Sequence, residues 1–137
     1  MTESRKIALV AGSILLAAAA LMVGGQFLIR ERSKSQVKVI VPELSADAKN
    51  GKMAFEIHCL QCHGANASGT DRGPSLIDRI YQPAHHGDFS FVRAVTLGVP
   101  QHHWLFGSMP AQPQVPRQEI DRTIVYIREL QKANGIP

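Results

Sequence analysis

Cys59-Leu60-Gln61-Cys62-His63 sets two thiols three residues apart, with an imidazole directly after the second. At a helix end that spacing lets both thiols reach the two vinyl groups of one haem. The adjacent imidazole is then placed to ligate the iron, which is the attachment pattern of covalent haem c. Three other chemistries use the same atoms. A thioredoxin-like redox pair needs a βαβ context, and the flanks here read as helix and loop. A zinc site would need a further His added to Cys59, Cys62 and His63. A structural disulfide across only two intervening residues is the rarest of the three.

A haem held by His63 has a second axial position. Met109 lies 46 residues after His63, in a loop shaped by Gly107 and Pro110, from which a thioether would reach the opposite haem face. A lone Met is more often packing than ligand, and Met53, on the attachment helix, is read as core. His85, His86, His102 and His103 are rival ligands, and an open distal site is a third option. His58 is read as a half-exposed neighbour of the haem edge. Trp104 and Phe106 flank the Met109 loop, either as a wall that excludes water or as ordinary core.

The elements that must position these groups are mostly helical. Ser45 is a candidate N-cap for a helix over Ala46–His58, with Asp47 in its first turn. Met53, Ala54 and Ile57 would share one face of it. Residues 65–83 read as loop, Phe89–Leu97 as a short helix ended by Gly98 and Pro100, and 99–116 as loop without a convincing hairpin. Arg117–Asn134 has the strongest helical pattern: Ile120, Ile124, Ile127 and Leu130 form an apolar stripe, with Gly135 just past the end. Arg117, Arg122, Arg128 and Lys132, beside Glu119, Asp121 and Glu129, read as a solvated face. Val37–Val41 reads as a short strand or extended linker stopped by Pro42.

Charge divides the chain of 137 residues unequally. From Glu43 onward nine Lys/Arg balance nine Asp/Glu, so the surplus of +4 sits in residues 1–42. A basic body that wraps nucleic acid is excluded as a first reading. A hydrophobic fraction of 45% also excludes wholesale disorder. The basic residues bracket Ile7–Ile29, an uncharged apolar run of 23 residues. As a helix it would span roughly 34 Å, enough for a hydrocarbon core of about 30 Å. Ala17–Ala20 offers leader-cleavage sites, but Leu21–Ile29 stays apolar where a cleavage region should turn polar, which favours a retained anchor. Ser13, Ala17, Ala20 and Gly24 form a small-residue stripe suited to close helix packing in lipid, although Ala-rich anchors show such stripes by chance. The expected division is 1–29 anchor, 30–44 linker and 45–137 haem domain. Fully extended, the 15-residue linker reaches roughly 50 Å.

From Ser45 to Ile136 the chain resembles the class I (mitochondrial-type) monohaem cytochromes c, in a membrane-anchored bacterial form. Gly51 and Phe55 precede the attachment motif in NGKMAFEIHCLQCHG. Gly73-Pro74-Ser75-Leu76 follows it, and Met109-Pro110 and Tyr126 in VYIRELQ come later, in the family's order. The resemblance implies an all-α fold wrapped round one covalent haem c, with His63 and Met109 as iron ligands. It implies that the Pro74 carbonyl accepts a hydrogen bond from His63, that Leu76 packs on the haem, and that Gly51, Phe55 and Tyr126 form the crossing of the terminal helices.

Such a site implies one-electron, outer-sphere transfer rather than catalysis, because filled axial positions leave no place for a substrate on the metal. His/Met ligation favours the reduced state relative to bis-His ligation. The expected role is an electron-transfer subunit or close partner of a respiratory or photosynthetic membrane complex, with the membrane and its redox proteins as partners, no nucleic acid and no small-molecule substrate; the alternative is a haem c enzyme or gas sensor with an open distal site. Counting Lys and Arg alone would put the C-terminal side of the anchor in the cytoplasm. Haem c attachment takes place outside the bacterial cytoplasmic membrane. A short tail bearing Arg5 and Lys6 suits a signal-anchor, so the haem domain is expected on the periplasmic side.

Overall fold

The computed structural model describes residues 14–22, 24 and 36–137. The chain divides between Lys34 and Ser35. Residues 14–22 and 24 are helical and exposed, and among the described residues no helix is long and apolar enough to cross a membrane. The remainder of the expected anchor Ile7–Ile29 lies outside the described residues.

The unit from Ser35 onward is built from four helices: α1 (Ala46–His58), α2 (Leu60–His63), α3 (Asp88–Leu97) and α4 (Arg117–Ala133). Two single 3₁₀ turns, Ala65–Ala67 and Arg79–Tyr81, punctuate the long loop between α2 and α3. α1 starts because the Ser45 hydroxyl accepts from the Ala48 amide at 3.1 Å, with Asp47 beside the positive helix end. Ser45 also ties α1 to α4: its own hydroxyl and amide donate to the Glu129 carboxylate at 2.6 and 3.1 Å. α4 stops where Asn134 caps it and Gly135 turns left-handed, at φ 75°.

α1 and α4 cross and hold the core. The whole predicted stripe of α4, Ile120, Ile124, Ile127 and Leu130, is buried. Phe55 and Tyr126, both fully buried, meet edge to face with centroids 5.7 Å apart. Gly51 sits at the crossing: a Cβ there would run into the Arg122 carbonyl of α4, with the Thr123 amide 3.0 Å away. Only a residue without a side chain lets the two backbones approach so closely.

Of the expected face of α1 (Met53, Ala54 and Ile57) only Ala54 is buried, beside the Gly51 and Phe55 that the resemblance placed at the crossing. Ala48, Gly51, Ala54 and Phe55 are inside, while Met53 and Ile57 are 57% and 74% exposed. Met53 is therefore not core packing. The approach at Gly51 sets the rotation of α1, and Met53 and Ile57 are turned away from α4. Val37–Val41 pairs with no strand, yet it is attached to the domain. The Val37 amide donates to the Ser68 carbonyl at 2.9 Å, and the Asn134 side chain both accepts from the Ile40 amide (2.9 Å) and donates to its carbonyl (2.8 Å). Leu44 is buried in the core.

Candidate functional site

A cavity of about 620 Å³ in this domain is lined by Cys59, Cys62, His63, Pro74, Leu76 and Met109 together. Its volume falls within the roughly 300–1,000 Å³ usual for cofactor sites. Much of the wall is apolar, with Phe91, Val95, Val99, Ile120 and Ile127 contributing.

The attachment residues are set by the end of α1. Cys59 caps α1 and opens α2: its amide closes on the Phe55 carbonyl at 2.8 Å, and its carbonyl accepts from His63 at 2.9 Å. α2 then carries Cys62 and His63 round one turn. The cysteines are not bonded to each other. Burial, reinforced by Cys62, pushes the Cys59 thiol up to about 11.

His63 Nδ1 lies 2.9 Å from the Pro74 carbonyl oxygen. A carbonyl only accepts, so Nδ1 carries the proton and Nε2 keeps its lone pair. Burial lowers the His63 pKa, partly opposed by this hydrogen bond, and the ring is neutral at neutral pH. A neutral imidazole oriented by a backbone carbonyl is the form a metal needs. Pro74 is itself placed by the return of the loop onto α2: the Thr70 hydroxyl donates to the Cys62 carbonyl, and the Thr70 amide to the Gly73 carbonyl at 2.9 Å. Leu76 is buried, pinned by its amide on the Ala67 carbonyl (2.9 Å) and by Gln131 Nε2 on its own carbonyl (2.9 Å).

Met109 is held by its backbone. Val99 and Met109 exchange both amide-to-carbonyl bonds at 2.9 Å, an isolated antiparallel bridge within the expected loop. Gly98, at φ 76°, makes room for it, since a Cβ there would stand 2.6 Å from the Met109 carbonyl. The half-buried Met109 thus enters the cavity wall from a fixed point.

The four rival histidines gather in one group. The rings of His102 and His103 are 4.3 Å apart and those of His85 and His86 4.6 Å, and His86, His102 and His103 also line the cavity. Among the described residues, this group supplies the cluster with metal-ligand geometry, and it includes none of Cys59, Cys62 or His63. The zinc reading of the cysteine motif therefore finds no support in the geometry.

Three contacts were not foreseen. His58, which lines the cavity, donates from Nε2 to the Glu119 carboxylate of α4 at 2.9 Å. The Trp104 indole donates to the Tyr81 hydroxyl at 3.1 Å, which closes one cavity margin, although the Trp104 ring itself is a third exposed. Arg128 is not on a solvated face. Its guanidinium donates to the Tyr81 carbonyl (2.7 Å), the His86 carbonyl (2.6 Å), the Gln131 side chain (2.6 Å) and Asp88 (2.9 Å), and it stacks 4.9 Å over the Phe91 ring. Its side chain is only 18% exposed. No spacing in the sequence separates Arg128 from its exposed neighbours, because its partners are carbonyls of a distant loop.

The family model described as cytochrome c matches residues 48–131. Among curated proteins, the chain is similar to the cytochrome bc1 complex cytochrome c subunit of Mycobacterium tuberculosis strain H37Rv. It is 40% identical over 67 residues, covering 48% of this chain and 24% of that protein. The subunit of the same name from Mycobacterium leprae is 42% identical over 64 residues (46% and 22% of the two chains). That from Corynebacterium diphtheriae is 32% identical over 94 residues (65% and 34%). The chain thus spans about a quarter to a third of the length of these relatives. No solved structure matches it significantly. The free Nε2 of His63, two thiols one turn apart and an apolar cavity fit a covalently attached haem. With the family match running from α1 through most of α4, the chain belongs to the cytochrome c family, in its class I monohaem form, and its cofactor is covalently bound haem c.

Proposed function

We propose that the protein is a membrane-anchored monohaem cytochrome that passes single electrons by outer-sphere transfer, as a subunit or close partner of a respiratory membrane complex. The observation that carries this is the placement of His63 and Met109 on one cavity, each fixed by a backbone hydrogen bond or bridge. Bound there, the haem supplies an iron that alternates between the ferrous and ferric states. His63 and Met109 would hold the iron, the apolar walls would exclude water, burial keeps His63 neutral, and the Pro74 carbonyl fixes its Nδ1–H tautomer. A site of this kind changes by one electron and offers no coordination place to a substrate. The relatives' description as bc1 complex cytochrome c subunits favours a partner in a respiratory complex of that kind.

The anchor in residues 7–29 would hold the haem domain to the outer face of the bacterial cytoplasmic membrane. Because the Val37 amide bonds to the domain, a tether from such an anchor would count at most the seven residues 30–36, whose fully extended length is roughly 25 Å, half that of the whole linker. Such reach suits electron exchange with centres in the same or an adjoining complex. Protease added to intact spheroplasts should release the haem domain; full protection would reverse the orientation.

The axial assignment is tested with Met109→Ala in the holoprotein. The variant should lose any sulfur-to-iron charge-transfer absorption, and its ferrous form should bind carbon monoxide. An unchanged spectrum would give the sixth position to a histidine. Ready binding of carbon monoxide by the native ferrous protein would favour a haem enzyme or gas sensor with an open distal site.

A further inference from the structure

The turn after the second 3₁₀ segment carries His85 and His86, and the loop closed by the Val99–Met109 bridge carries His102 and His103. The two pairs face each other. Ring centroids lie 5.5 Å apart for His85 and His103, 5.3 Å for His86 and His103, and 6.2 Å for His86 and His102. One ring nitrogen from each of His85, His86 and His103 falls within 4.8 Å of the other two.

We propose that His85, His86 and His103 form a three-nitrogen site for a borderline divalent transition-metal cation of the Zn2+ type at the rim of the haem cavity. This does not rest on the electron-transfer reading.

The donor set fixes the class of ion. Neutral imidazoles suit zinc, copper and nickel, whereas magnesium and calcium take oxygen ligands. One of the rings is already oriented. His86 Nδ1 donates to the Ile80 carbonyl at 2.6 Å. It therefore presents its Nε2 lone pair, and a carbonyl behind a ligating histidine is the usual second-layer support.

Tetrahedral zinc with Zn–N bonds of about 2.0–2.1 Å needs nitrogens roughly 3.3–3.4 Å apart. The cluster must close by a little over 1 Å from its 4.8 Å spread. His85 and His103 are exposed and free to turn about their side-chain bonds. A cation there would clamp the 82–86 turn to the loop that ends at Met109. It would also add positive charge beside the haem cavity, which favours the reduced iron.

The test uses full-length holoprotein without a histidine tag, stripped with chelator and titrated with Zn2+ by calorimetry, with metal counted per haem after gel filtration. Holoprotein is required because haem occupies Cys59, Cys62 and His63, which would otherwise compete for zinc. The expected result is one saturable Zn2+ per haem, with affinity at least tenfold weaker in His85→Gln and in His103→Gln and unchanged in His58→Gln. Both cluster variants alter exposed side chains, and an unchanged haem spectrum certifies that each is folded. Absence of saturable binding, or binding of equal strength in the His85→Gln, His103→Gln double variant, would overturn the site.

Discussion

Gly51→Ala is the smallest change that attacks the crossing on which the domain is built. Considered as an isolated helix, α1 should gain, because alanine exceeds glycine by about 1 kcal/mol in a helix interior. The contact across the crossing opposes this. The new methyl would overlap the Arg122 carbonyl, and its second neighbour is the Thr123 amide at 3.0 Å, so both obstacles are backbone and cannot rotate aside. The helices must separate. A gap of 0.5–1 Å removes a quarter to a half of the dispersion energy of every facing pair. The pairs at risk are the fully buried Phe55–Tyr126 contact and the packing of Ala48 and Ala54. Overpacking of this kind costs typically 1–3 kcal/mol and more where relief is blocked. After the propensity gain the net loss should be about 2 kcal/mol, or roughly 8–16 °C in Tm for a domain of about 100 residues. Thermal unfolding of the oxidised holoprotein, followed by far-ultraviolet circular dichroism, measures it. The covalent haem stays on the chain in both states, so variant and parent share one reference. Gly87→Ala is the control: Gly87 has negative φ, and its nearest obstacle is the Pro83 carbonyl at 3.6 Å. Gly51→Ala melting within about 1 °C of Gly87→Ala would refute the close-crossing argument.

Arg128→Met should destabilise the domain by about 1–3 kcal/mol, because it strands the His86 carbonyl and leaves the Tyr81 carbonyl only the 3.3 Å bond from Gln131. Arg128→Lys should recover less than half of that, since one ammonium cannot span the same fork; denaturant unfolding reads both. Burial, and then the Glu56 carboxylate, raise Tyr126 from 10.0 to about 12. The unfolded chain therefore loses this proton first. The Tyr126 contribution is fully present below pH 10 and disappears as pH rises to about 12. Tyr126→Phe should remove that part of the alkaline loss, and melting curves between those limits that keep the parent's slope would argue against it.

The two long helices were legible because each signal is local. Ser45 three residues before an amide it caps, a 3.6-residue stripe from Ile120 to Leu130, and Gly135 beyond it need no knowledge of the rest of the chain. The attachment motif was legible for the same reason. What failed depended on partners far along the chain. Met53 and Ile57 are as apolar as Ala54 and Phe55, and only the seat of Gly51 against Arg122 decides which pair turns inward. Arg128 looks like Arg117 in sequence, but Arg117 pairs with Asp121 one turn away in solvent, whereas Arg128 reaches the carbonyls of residues 81 and 86.

Met109 shows the boundary between the two kinds of information most clearly. Its order after the attachment motif pointed to it, but order says nothing of how a side chain in a Pro- and Gln-rich loop acquires a fixed position. Hydrophobic periodicity is silent there, because neither Val99 nor Met109 belongs to an alternating run. The position comes from backbone groups that every residue has: two reciprocal hydrogen bonds at 2.9 Å. Glycine at residue 98 is required because φ is 76° and the Met109 carbonyl leaves no room for a Cβ. A side chain placed in this way is constrained at its Cα before its thioether meets anything, which would limit the entropy lost if Met109 ligates the iron as proposed. Gly98 is thus what fixes the backbone from which Met109 enters the cavity, and it lines the same cavity itself.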